Sequence, residues 1–198
     1  MKKIVIIISA LAVSVCAALV AQAQSPNDEM HALAVNKPGA DRFPVVEFWK
    51  DRIAAMNAAY VRNSAELSFM RKLAPDENGP WTILWKEIKD GDNVVIASIV
   101  LDNTSEDGCA ASANSSASAV SWAEDCPAKI VTILPTGEKK AQDTRACYQW
   151  FPLGSRGDLA EPDERTYATY DPSERTVSFR VTAKGKFVRS CTKNVEVR

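Results

Sequence analysis

From Pro80 onward the chain alternates β-branched and aromatic runs with turn-forming clusters, a grammar that restricts it to antiparallel sheet. Trp81 to Trp85 and Val94 to Leu101 are joined through Asp90-Gly91-Asp92-Asn93, where glycine supplies the left-handed backbone that a tight hairpin needs. Lys129 to Leu134 turns at Pro135-Thr136-Gly137 into Ala141 to Trp150. The rest reads as a meander: Thr166 to Tyr170 turns at Asp171-Pro172-Ser173-Glu174 into Thr176 to Thr182, and Lys184-Gly185-Lys186 leads into Phe187 to Thr192. Val177, Phe179 and Val181 alternate with Ser178, Arg180 and Thr182, so one face of that strand is expected to be buried and the other wet.

Ahead of the sheet, Val46, Trp49, Ile53, Met56 and Tyr60 recur at helical spacing on one face, and Pro44 suits a first turn, where its missing N–H is no loss. Residues 65 to 73 satisfy both periodicities, with a slight preference for a short helix. The expected fold is α+β: an N-terminal amphipathic helix packed on a mostly antiparallel sheet of six to eight strands, with two disulfides.

Met1-Lys2-Lys3, the apolar run Ile4 to Val20 and Ala21-Gln22-Ala23 supply in order the charged, apolar and small-x-small parts of a secretory signal. Cleavage near Ala23 and a periplasmic or secreted product are expected. The chain then divides into a signal peptide (1–23), a flexible lead (24–40) and one α+β domain (41–198). No other segment is apolar enough for a stable membrane span.

Without Lys2 and Lys3 the balance is 22 Lys and Arg against 25 Asp and Glu, which lacks the basic excess of a nucleic-acid binder. Charge is unevenly spread, with residues 76 to 125 at −8 and residues 164 to 198 at +4. The two segments either share neighbouring faces or leave an acidic patch for a basic partner.

The export signal gives the cysteines their meaning. Cys16 falls inside the apolar run, and Cys109, Cys126, Cys147 and Cys191 remain, an even count that reads as two disulfides in an oxidising compartment. Pairing Cys109 with Cys126 would close the Ala- and Ser-rich stretch between them, which has little apolar bulk to order itself. Cys147 with Cys191 would tie an interior strand to the last one. A zinc site is not indicated, since no two cysteines have its close spacing and His31 is the single histidine.

Catalytic patterns are weak. Ser190-Cys191-Thr192-Lys193 spells the S-x-x-K of serine acyl-enzymes without the companion elements. Asp102 to Gly108 misses the register of a calcium loop, and no cofactor is called for. Binding is the reading that survives. The loops 102–128 and 151–165 are long for sheet connections, and loops on a rigid scaffold tend to carry function. The first holds Glu106, Asp107, Trp122, Glu124 and Asp125; the second holds Phe151 and Arg156. These residues are the candidate contact set of a non-enzymatic, inhibitor- or immunity-like module whose partner is another protein, one with a basic surface fitting best. Two alternatives accompany it: a carrier of a small apolar or lipidic ligand between helix and sheet, and a cell-wall hydrolase acting through paired carboxylates.

Overall fold

Val95 to Val100 is buried at every position, which an antiparallel strand allows only when both faces of its sheet are covered. That strand organises the molecule. A computed structural model describes residues 28–34, 38–62, 82–102, 108–111, 122–150, 165–183 and 186–198. Within these residues the larger sheet contains six strands: β1 (His31–Ala34), β2 (Thr82–Asp90), β3 (Asn93–Leu101), β4 (Ala110–Ala111), β5 (Trp122–Ile133) and β6 (Lys139–Trp150). A second sheet of four strands is built from β7 (Arg165–Asp171), β8 (Thr176–Ala183), β9 (Lys186–Phe187) and β10 (Lys193–Glu196). All pairings are antiparallel.

The expectation of one sheet is therefore corrected to two. Inner-face residues Leu84, Val95, Ala97, Ile99, Cys126, Ala128 and Ile130 of the larger sheet pack against Ala168, Val177, Phe179 and Val195 of the smaller one. On the opposite face, Ile83, Ile96 and Val100 pack against Val45, Trp49 and Met56. Fully burying one such large side chain contributes about 1.5–3 kcal/mol, so both faces of β3 add to stability.

The single helix expected over residues 46 to 60 is also revised. Helical structure consists of two pieces, α1 (Pro44–Phe48) and α2 (Lys50–Arg62), separated at Trp49, whose φ of −114° and ψ of 7° leave the helical region. Tertiary bonds hold the break open. The Trp49 indole N–H donates to Ser98 Oγ at 3.0 Å, and Lys129 Nζ donates to the Phe48 carbonyl at 3.0 Å while lying 4.8 Å from the Trp49 ring. Residues 65 to 73 lie outside the described residues, as does Trp81.

Part of the lead expected to be flexible is a strand. His31–Ala34 pairs with β2 from Trp85 to Thr82, and His31 lies edge-on to Trp85. Just upstream, Asp28 accepts from Lys86 at 3.0 Å and Glu29 pairs with Arg165, so charge as well as backbone bonding fixes this segment.

The first hairpin forms at its expected place. Asp90 pairs with Asn93 around Gly91-Asp92, with Gly91 at φ 59°. The second closes at Gly137, φ 84°, whose N–H donates to Leu134 O at 2.8 Å. Here the strands run farther than apolar content alone indicates. β5 and β6 stay in register from Ile133 and Lys139 back to Trp122 and Trp150, so residues 122 to 128, assigned from sequence to a loop, belong to β5. Pro127, with no N–H to donate, sits where β5 changes its other neighbour from β3 to β4.

The structure joins Cys109 to Cys126 and Cys147 to Cys191. Among the described residues no helix is long and apolar enough to cross a membrane.

Candidate functional site

One end of the larger sheet gathers most of the sequence-derived candidates. β3 ends at Leu101, and β4 pairs with the same neighbour, β5. Between them the Cys109 N–H donates to the Asp102 carbonyl at 2.6 Å, and the Cys109–Cys126 bond fastens Cys109 to β5. Arg145 on β6 adds a clamp: Nε donates to Asp125 Oδ2 at 2.7 Å, and Nη2 donates to the Gly108 carbonyl at 2.8 Å and to the Asp125 carbonyl. One guanidinium thus holds two chain segments together through charge-assisted bonds.

Asp125 pairs its carboxylate with Arg145 while its side chain stays 43% exposed. Glu124 points its chemistry elsewhere. It is half-buried opposite Tyr148, its carboxylate oxygen lies within 4.8 Å of the Cys109 and Cys126 sulfurs, and burial pushes its pKa above the ordinary carboxylate value. The two sulfurs are bonded to each other, so the cluster offers no thiolate to a metal. Trp122 opens β5 in register with Trp150, which closes β6. Glu106, Asp107, Phe151 and Arg156 lie outside the described residues.

The acidity of residues 76 to 125 is partly neutralised inside the molecule. Asp102 is almost fully buried and accepts from Arg52 Nη2 at 2.9 Å, while Asp125 is held by Arg145. Both partners lie outside the basic C-terminal segment, so these two pairs do not join the acidic and basic stretches.

The space between the helical pieces and the sheet, assigned from sequence to a possible ligand, is filled by Val45, Trp49, Met56, Ile83, Ile96 and Val100. Open volume occurs elsewhere. A groove of about 410 Å³ lies at the hairpin end of the sandwich, lined by Thr132, Lys140, Gln142 and Arg198. A shallower polar depression of about 750 Å³ crosses the smaller sheet over Thr169, Ser178 and Asn194, three residues that pair in one row across β7, β8 and β10.

Sequence reasoning assigned none of these residues to a site. The signal was present at Thr132, the one hydroxyl in the run Ile130 to Leu134, yet only the register shows that it shares the inner face with Ala128 and Ile130. Thr132 Oγ1 and Gln142 Oε1 are buried without a hydrogen-bond partner among the described residues, and each such group costs on the order of 1–3 kcal/mol.

His31 and Ser190 do not form a catalytic pair: His31 is held on β1 against Trp85, and Ser190 lies in a 3-10 turn, Arg189–Cys191, whose Cys191 is disulfide-bonded to Cys147. Compared with protein-family models, curated proteins and solved structures, the chain matches none of them.

Proposed function

We propose that the chain is an exported, non-enzymatic protein-binding module, inhibitor- or immunity-like, that acts after removal of its leader near Ala23 and works from the stapled end of the larger sheet. The supporting observation is the double fixing of that end: the Cys109–Cys126 bond and the Arg145 clamp hold the exits of residues 102, 108, 111, 122 and 150 on one rigid platform. Segments launched from a fixed base lose less entropy when they dock, so affinity is gained by preorganisation. The two disulfides are consistent with an oxidising, extracytoplasmic compartment.

Glu124 gives the platform a polarity. Its carboxyl group is desolvated, so a partner's lysine or arginine would favour the ionised form and release a proton on docking. A basic partner surface is the match, and affinity is expected to rise with pH through the raised Glu124 pKa.

A photo-crosslinking residue placed at the exposed Ala110, beside the staple, should capture one envelope protein, whereas the same group at Thr136 in the opposite hairpin turn should not. The adduct should disappear in the Cys109→Ser/Cys126→Ser variant. Equal labelling from both positions, or adducts that persist without the disulfide, would count against the proposal.

A further inference from the structure

The inner face of the larger sheet changes character where β5 turns into β6. Cys126, Ala128 and Ile130 are apolar and buried against the smaller sheet, but the register then pairs Ile130 with Gln142 and Thr132 with Lys140, which sets three polar side chains on two neighbouring rungs. Directly opposite side chains such as Thr132 and Lys140 have Cβ atoms roughly 4.5–5.5 Å apart, and a diagonal pair such as Thr132 and Gln142 roughly 7–8 Å. The chain beyond β10 brings Val197 and Arg198 over them, anchored by the Val197 N–H donating to the Arg175 carbonyl at 2.7 Å. The half-open groove, about 410 Å³, has the size of a small-molecule site.

Its polar groups are set apart from the fold's own bonding. Thr132 is 8% exposed, and its Oγ1, like Gln142 Oε1, is buried without a partner among the described residues. Valine at 132 would fill the same volume and leave nothing unmatched, so the hydroxyl serves no packing purpose. Lys140 and Arg198 are exposed at the groove, and neither is ion-paired among the described residues. An acceptor, a hydroxyl and two cations thus surround an apolar floor of Ile130 and Val197.

We infer that this groove binds a small organic carboxylate with an N–H donor beside it, the arrangement in an N-acylated amino acid. The carboxylate lies against Lys140 and Arg198 and accepts from the Thr132 hydroxyl. The N–H donates to Gln142 Oε1, and a short aliphatic group rests on Ile130 and Val197. A ligand lacking either polar group leaves a buried partner unmatched, which is the physical basis of selection.

Titration of the isotopically labelled protein with N-acetylalanine, followed by amide chemical shifts, should give saturable changes confined to residues 130–132, 140–142 and 197–198. Propionate, which lacks the donor, and N-methylpropanamide, which lacks the charge, should each bind at least tenfold more weakly. Thr132→Val/Gln142→Leu should remain folded, melt no lower than the parent and lose the saturable response; Lys140→Glu should weaken it at least fivefold. A peptide ending in a free alanine carboxylate presents the same groups. Tighter binding of the peptide assigns the site to chain ends, and tighter binding of N-acetylalanine assigns it to free acylamino acids. Equal binding of N-methylpropanamide, shifts spread over the molecule, or an unaltered response in the double variant would overturn the inference.

Discussion

Arg52 and Asp102 form an ion pair whose carboxylate is almost fully buried. Asp102 is 1% exposed and Arg52 is partly open, so removing the guanidinium takes a cationic partner from a carboxylate in the interior. Breaking such a pair costs about 3–5 kcal/mol. Arg52→Ala is expected to destabilise by that amount in urea unfolding, and Asp102→Asn by less, because the amide is neutral and can still accept a bond. Glu124 behaves in the opposite sense. Burial raises its folded pKa above the ordinary value of 4.5, so the folded state favours the protonated form. Its contribution to stability is present below the unfolded pKa and is lost as pH rises through the folded one. Glu124→Gln should therefore raise stability at neutral pH, leave it nearly unchanged in acid, and remove the rise of partner affinity with pH, comparisons that a pair of pH-dependent melts and binding curves would make.

At the scale of elements, the hairpins rest on turn chemistry that can be tested directly. Gly91 adopts φ 59°, and a Cβ built there would meet no atom within 4 Å, so the penalty for substitution is one of backbone conformation alone. Left-handed backbone costs an ordinary residue about 1–2 kcal/mol. Gly91→Ala should show that loss in chemical denaturation, and Gly91→Asn much less of it, since Asn tolerates this region. Turns of this kind are readable from sequence because the requirement is local: Asp90-Gly91-Asp92-Asn93 states its own geometry. Which strands share a sheet is not local. The alternation of Val177, Phe179 and Val181 shows that β8 has a buried face, but the residues that cover it come from β3 and β5, far away in sequence. The run Val94 to Leu101, apolar except for Ser98, did carry a sign of two covered faces, since a strand wet on one side would alternate. The reach of β5 to Trp122 was hidden for another reason. Glu124, Asp125 and Pro127 look like loop residues, and only the Arg145 clamp, the disulfide and the change of neighbour at Pro127 make them compatible with a strand. Thr132 and Gln142, on successive inward-facing rungs, escaped notice because a hydroxyl in a short apolar run gains significance only once its face is known.

For the molecule as a whole, the two disulfides differ in what they restrain. Cys109–Cys126 spans 17 residues within the larger sheet, whereas Cys147–Cys191 spans 44 and joins β6 of the larger sheet to the turn that precedes β10 of the smaller one. Loop-closure entropy gives about 3 kcal/mol for the first and about 4 kcal/mol for the second. Cys147→Ser/Cys191→Ser should consequently lower the melting temperature more than Cys109→Ser/Cys126→Ser, and the sandwich interface should gain the faster amide hydrogen exchange. The order of the bridges along the chain carries one more consequence. Beyond the expected leader each bond joins two cysteines that are consecutive along the chain, so an oxidant meeting the thiols in the order they emerge would join the correct partners at every step. No bond has to be undone before the next can form. Native protein should then accumulate to the same yield in cells with and without a disulfide isomerase, with the oxidase alone setting the rate.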